Sequence, residues 1–509
     1  MEKLAPEILA IILSHLEPPL APFAAVSRQW QHAIEERTFS KLQLTSEEDT
    51  LQQFKSVFTT GPHRQRLLRN IEFFVHLTVP SVKRRWKLQR ADEAAANNIL
   101  YTKAVFDFFT ILAAWGRDSD ADAPSKLRVY MAATSSDEGE PSEPHEPAHW
   151  HLGEYPMWQI RNNFRYVNFD TQVLDDLGGL PTVYAIDDFE HNMYRLIDPA
   201  VFPVISAALP TTKKMDWGWE APPRRLPDLR HEIRSSAATA FLATAGLSLT
   251  NLTVLHLKWE DNDPLNHDFP PGNHLDPGSP ADKLSVAMHH ISHLPSLQHL
   301  KFTCCFAVSK EIFDHDTDSQ WPSLQSFVLE HALTTPSGEW YFTGYPSDAW
   351  KTDERLSDTE DGENAPFDSD DSDTSDWMPE FEWERQNGNK PCIQYRSVPN
   401  SNNYVPLLVA MAGAVKRMPV LKELEVATCY HAQSVNMSIN YYTLGVRHEG
   451  YGPTKEFHSA HVTEPRWVVQ RMSDGAVQRA WVVPEQLRAA LQETVGEGCV
   501  LIMDNGKVV

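Results

Sequence analysis

The 509-residue chain carries 45 Lys and Arg against 69 Asp and Glu, a formal charge of −24, which argues against a surface built to neutralise a phosphate backbone. With 41% hydrophobic and 10% aromatic residues it is not disordered as a whole, and its length suits about three domains or one extended repeat array. The longest apolar runs, around 106–115 and 404–415, fall far short of a bilayer span, and no secretory leader precedes the first helix, so the expectation is a soluble protein of the cytoplasm and/or nucleus with no membrane partner.

The chain is organised around its first forty residues. Pro6 sits where a helix's first turn has no use for its missing N–H, and Ile8, Leu9, Ile12, Leu13 and Leu16 recur at helical spacing. Pro18 and Pro19 stop that helix. A second comes next, with Phe23, Val26, Trp30 and Ile34 on one stripe. Two such short helices cannot enclose a core, so some of this apolar surface must be covered by something else.

Further along, Arg66–Val75 reads as a strand, Asn98–Trp115 as a strongly apolar helix and Lys126–Met131 as another strand. The basic cluster Lys83, Arg84, Arg85 and Lys87 reads as a solvated loop or a nuclear address, and Ser135–Pro147 as a polar loop. From residue 180 a phrase recurs: an apolar residue, usually a proline, then apolar positions spaced for a strand. It stands as Leu180-Pro181-x-Val183-x-x-Ile186, Leu209-Pro210-x-Thr212-x-x-Met215-x-Trp217, Leu294-Pro295-x-Leu297-x-x-Leu300-x-Phe302, Trp321-Pro322-x-Leu324-x-x-Phe327-x-Leu329 and Met418-Pro419-x-Leu421-x-x-Leu424-x-Val426. Leu249-x-x-Leu252-x-x-Leu255-x-Leu257 lacks only the proline. A unit of this kind buries its apolar face only when a neighbour stacks on it. Helices expected at 229–246, 281–293 and 404–417 alternate with these strands; irregular spacing between copies leaves an irregular α/β domain without a true solenoid as the other reading.

Between Asp353 and Glu384 fourteen acidic residues face the single Arg355, a block that cannot bury enough apolar surface to order itself. Beyond 435, strand-like runs at Ser438–Gly445, Arg466–Arg471, Ala480–Val483 and Cys499–Met503 surround one helix at Pro484–Thr494, the texture of a small α+β cap. The five cysteines are odd in number and lack a framework spacing, which fits a reducing compartment.

Leu4-x-Pro6-Glu7-Ile8-Leu9-x-x-Ile12-x-x-x-Leu16, then Leu20 and Val26-Ser27-Arg28-x-Trp30, resembles the F-box, departing from it at Ala5, where a proline is usual. The repeated phrase, with Cys305 and Cys429 closing two copies, is similar to the cysteine-containing leucine-rich repeat. The whole resembles the large group of fungal F-box proteins. That resemblance implies an α/β fold: an F-box helical hairpin at 1–44, an irregular leucine-rich-repeat-like solenoid at 45–350, an acidic and disordered insert at 351–403, the last repeat at 404–430 and a C-terminal α+β segment at 431–509. It implies that Leu4, Pro6, Ile8, Leu9, Ile12, Leu16, Leu20, Val26 and Trp30 bind the adaptor subunit of an SCF-type ubiquitin ligase and, through it, cullin. The body would then present a protein target, with no catalysis, cofactor or metal of its own. A non-ligase scaffold using the same helices, and an enzyme built on the α/β body, are the other readings.

No chemical motif displaces this reading. His145-Glu146-x-x-His149 has zincin spacing, but Pro147 between the histidines forbids the helix that chemistry needs. His289, His290 and His293 share a predicted helix without an evident third or fourth ligand. Asp368-x-Asp370-Asp371-x-Asp373 lacks the turn glycine of a calcium loop, and Ser357, Ser369, Ser372 and Thr374 among acids suit an acidophilic kinase at most. Trp217, Trp219, Trp259, Trp340, Tyr341 and Phe342 are expected in the core, or as anchors for a partner where they emerge.

Overall fold

The computed structural model describes residues 4–16, 20–60, 62–78, 89–115, 127–135, 151–152, 155–156, 165–192, 195–315, 318–349, 351–352, 384–428, 435–446, 453–473, 479–496 and 498–508. The chain is α/β with a large, mostly parallel sheet. It forms two compact units, residues 1–85, 89–197 and 204–216, and residues 86–88, 198–203 and 217–509.

The first unit opens with helices α1 (Pro6–Ser14), α2 (Ala21–Ala24) and α3 (Arg28–Phe39). Two helices were expected and three are found, because Pro22 has a helical φ built in and sits at the start of a turn of its own. Ser27 caps α3 by accepting from the Trp30 amide at 3.3 Å. Then come β1 (Lys41–Thr45), α4 (Glu48–Thr60), α5 (Pro62–Leu67), β2 (Asn70–Leu77), α6 (Ala91–Ala113), β3 (Leu127–Ser135), α7 (Thr171–Asp176) and β4 (Ile186–His191). The strand expected from Arg66 begins only at Asn70, since Arg66 and Leu67 close α5. The strands β1, β2, β3 and β4 pair in sequence order and in parallel. Their inward positions Phe73, Val129, Met131 and Phe189 are fully buried, and Phe73 stacks on Phe108 of α6 at 4.2 Å between ring centres. Parallel strands covered by a helix in this way read as near-continuous apolar runs, as Phe73-Phe74-Val75 does.

The chain passes to the second unit through α8 (Val201–Ala208) and β5 (Lys214–Glu220). There it builds α9 (Pro227–Ala245), β6 (Val254–Glu260), α10 (Lys283–Ser292), β7 (His299–Phe306), α11 (Glu311–Asp314), β8 (Ser326–His331), α12 (Tyr404–Val415) and β9 (Glu423–Thr428). β6 through β9 pair in order and in parallel, so the repeated phrase is legible in the register: Leu255 lies beside Leu300, Leu300 beside Phe327 and Phe327 beside Leu424. Leu257, Phe302, Leu329 and Val426 form a second row two residues on, and all eight side chains are buried. The leading part of the phrase is a turn. Leu252, Leu297 and Leu421 each donate N–H to the carbonyl three residues back, at 3.2, 3.1 and 3.2 Å. In the next turn Gln298 and His299 both donate to Thr253, Gln325 and Ser326 to Gln298, and Lys422 and Glu423 to Gln325, so one carbonyl sets each strand's starting point against its neighbour.

After β9 the sheet changes sense. β10 (Val435–Tyr442) and β11 (Arg466–Ser473) run antiparallel to their predecessors, β12 (Val500–Asp504) is parallel to β11, and β13 (Lys507–Val508) turns back on it, with α13 (Pro453–Ala460) and α14 (Glu485–Val495) alongside in sequence. Residues 480–483, expected as a strand, are not one: the Trp481 amide donates instead to the Asp504 carboxylate at 2.9 Å. Within 351–403, residues 384–403 are not the disordered segment expected. Ser397 donates to Thr343, and the Tyr395 and Arg396 amides both donate to His267 Nδ1 at 2.8 Å. Composition hid this because the acids stop at Glu384, and the stretch beyond it is ordered by backbone partners distant in sequence. Cys305 is disulfide-bonded, while Cys304, Cys392 and Cys499 are not. Spacing along the chain does not report such a pairing, which proximity in the fold decides. Among the described residues no helix is long and apolar enough to cross a membrane.

Candidate docking surface and polar clusters

In α1 the apolar residues span an arc of about 200° at roughly 100° per residue. Only the inner part of that arc is covered. Leu9 and Leu13 are buried with Ile34 of α3, and Leu16, Leu20, Ala24, Trp30 and Ala33 pack around them. The outer part is bare, with Ile8 47% and Ile11 56% exposed. Phe23 of α2 and Val26 beyond it are likewise open to solvent. Leu4, Ile12, Leu16, Leu20 and Trp30 are half-buried, and nothing is described of the Pro6 side chain. Of the expected docking residues, therefore, Ile8 and Val26 present themselves outward, whereas Leu9 is enclosed by its own helices. Ile11 belongs with the outward pair: it is exposed on the outer face, three residues from Ile8 on the same stripe, a position that the F-box resemblance does not mark.

The helices are fastened to the unit by polar contacts. Gln29 donates to the Leu4 carbonyl at 2.5 Å, and Arg37 donates to that of Leu13. Glu35 of α3 accepts from Arg64 of α5 at 2.9 Å and lies 3.1 Å from His63. Burial disfavours the charged carboxylate, but hydrogen bonds from Arg64, Gln31 and His63 outweigh it and hold the Glu35 carboxyl below its ordinary value. Arg64 also lies over the Phe39 ring, 5.2 Å from its centre.

A polar rim runs along the C-terminal ends of β6 and β7 in the second unit. Arg224 and Arg230 both reach Asp261, at 3.2 and 2.6 Å. Arg234 meets Asp282 at 2.7 Å and also donates to the Ala307 carbonyl, while Asp282 caps α10 through Ser285. Asp263 accepts from the Leu333 amide at 2.8 Å; burial outweighs that bond and pushes its pKa up to about 7. A small pocket in the rim is lined by His231, Arg234, His274, Asp276, Asp282 and Lys283 among others. Burial, with Arg234 and Arg230 nearby, brings the His274 pKa down to about 3, so its imidazole is neutral at pH 7. Each carboxylate here is matched by a cation or an amide, an arrangement that ties loops together.

The histidines expected on one helix lie at the end of α10 and the position after it. His289 is buried and 3.2 Å from the Ile312 carbonyl through Nδ1, and His293 is packed on Trp321 at 4.2 Å between ring centres. Burial, then His293, lowers the His289 pKa to about 4. All six expected core aromatics, Trp217, Trp219, Trp259, Trp340, Tyr341 and Phe342, are buried. His145 and His149, the basic cluster at 83–87, the acidic run 353–383 and the serines and threonine within it lie outside the described residues.

One cluster has no signature in the sequence. His461, Glu464 and Cys499 bring an imidazole nitrogen, a carboxylate oxygen and a thiol sulfur within 4.8 Å of one another. His461 and Glu464 are three apart, but Cys499 joins them only because β12 pairs with β11, and such pairing leaves no fixed spacing to read.

Scanned against models of known protein families the chain matches none, and no curated protein matches it. What the chain does therefore rests on its residues and their geometry.

Proposed function

We propose that this chain is a substrate-receptor subunit of an SCF-type ubiquitin ligase. The N-terminal helices dock on the adaptor and through it on cullin, a repeat-like body holds a protein target, and the ubiquitin chemistry belongs to other subunits. The observation that carries this reading is the exposed outer arc of α1, Ile8 and Ile11, in a segment whose residue order resembles the F-box. Exposed isoleucines three apart on a short helix lose nothing by being covered and gain about 1 kcal/mol each when they are. Supporting the body's role, its strands pair in order with leucine rows in register, the arrangement that stacked α/β repeats require. Affinity purification of the full chain, with and without residues 1–44, tests the proposal. Recovery of adaptor and cullin together only with residues 1–44 present supports it. Adaptor without cullin supports the scaffold reading, and recovery of neither defeats both.

A further inference from the structure

We propose that His461, Glu464 and Cys499 form a zinc site that staples the turn after α13 to the start of β12. Cys499 Sγ lies 3.0 Å from Glu464 Oε2, and His461 Nδ1 lies 3.4 Å from the same oxygen. Around a tetrahedral ion with bonds of about 2.3 Å to sulfur and about 2.1 Å to nitrogen and oxygen, donor atoms stand roughly 3.4–3.6 Å apart. The nitrogen-to-oxygen separation thus already matches such a site, the sulfur-to-oxygen one is short of it by about 0.6 Å, and all three donors lie within 4.8 Å of one another. Thiolate, imidazole and carboxylate together select zinc over magnesium or calcium, which prefer all-oxygen shells.

Local structure holds the corners. The Glu464 amide donates to the His461 carbonyl at 3.1 Å, a tight turn that puts both side chains on one side, and Arg466 donates to that same carbonyl at 3.3 Å. Trp467 of β11 donates to the Cys499 carbonyl at 2.9 Å, which seats the thiol beside the turn. Cys499 is buried, whereas Glu464 is more than half exposed and His461 about a quarter, so the site is closed on the sulfur side and open to solvent on the other. Three protein donors leave the fourth corner of a zinc site to solvent.

A nucleophilic role for Cys499 is disfavoured. Burial and the hydrogen bond to Glu464 push the thiol up to about 11, opposite to an activated thiolate. Binding of Zn²⁺ replaces the thiol proton, which leaves to solvent, and the thiolate and carboxylate together neutralise the ion's two charges.

The test is titration of the full chain, under a phosphine reductant, with Co²⁺ as an optical stand-in and then Zn²⁺ in competition. One equivalent of Co²⁺ should give a sulfur-to-metal charge-transfer absorption that Zn²⁺ abolishes. Cys499→Ser should remove the band, while Cys304→Ser and Cys392→Ser keep it. His461→Asn and Glu464→Gln, at partly exposed positions where folding is not at stake, should each weaken Zn²⁺ binding at least as much as the roughly 10–100-fold typical of disturbing an outer-shell partner. No band in the unaltered chain overturns the proposal. So does a band that survives Cys499→Ser, and so does full affinity in both His461→Asn and Glu464→Gln.

Discussion

Replacing Ile8 and Ile11 by alanine separates docking from folding. Full burial of an isoleucine is worth about 1.5–3 kcal/mol, and these two expose 47% and 56% of their surface, so a partner that covers what remains gains about 1 kcal/mol from each. Losing both should weaken adaptor binding by about 2 kcal/mol, roughly thirtyfold in Kd. The double aspartate variant places two unpaired carboxylates in the interface and should abolish measurable binding. Neither change touches the buried pair Leu9 and Leu13, so the melting temperature of the free chain should be unaltered. Leu9→Ala makes the contrast: it empties a fully buried position and should cost about 2–5 kcal/mol in local stability of the α1–α3 segment. Calorimetric titration against purified adaptor, beside thermal melts of each variant, reads both quantities. Wild-type affinity in the Ile8→Asp/Ile11→Asp double variant would refute the docking surface.

In the second unit, Arg234→Met leaves Asp282 buried without its cation and should lower stability by about 3–5 kcal/mol, read as a shifted urea midpoint; an unmoved midpoint would mean the pair holds nothing. Asp263 keeps its proton to about pH 7 in the folded chain but only to about 3.8 when unfolded. The folded state therefore binds more protons between these values, and stability falls as pH rises from about 4 to about 7. Asp263→Asn should remove that part of the fall while still accepting from Leu333, and identical melting-temperature slopes for variant and parent would count against it. A methyl group on Gly344 would stand 2.1 Å from the Tyr395 carbonyl oxygen. Gly344→Ala should therefore push residues 395–399 off the 342–343 strand and expose the Ser397 amide, which donates to Thr343, to hydrogen exchange, and unchanged protection there would show that the backbone yields elsewhere.

The elements were most legible where one physical rule acts locally. Leu297, Leu300 and Phe302 announce a turn and a strand, and β7 lies there; the helices expected at 229–246 and 404–417 are found at Pro227–Ala245 and Tyr404–Val415. Legibility failed where a partner remote in sequence decides. Trp481 leaves the sheet for the Asp504 carboxylate, and residues 384–403 are held by His267 and Thr343. For α1, periodicity defined a broad apolar arc but could not tell that α3 covers the Leu9 side and leaves Ile8 and Ile11 bare, because both sides carry the same residue types. The thiol of Cys499 met His461 and Glu464 through strand pairing, which no motif spacing encodes.

In the second unit the lead-in of the repeated phrase has constant length: Leu249, Leu294, Trp321 and Met418 each stand five positions before the first residue of their strand. The step out of a strand has no such constancy, running from residue 261 to 282 after β6 and from 332 to 403 after β8. Since β6 through β9 all point the same way, these two long connections leave the sheet along the same margin. Selection is thereby free to remodel what that margin contacts while the leucine rows beneath keep their alignment.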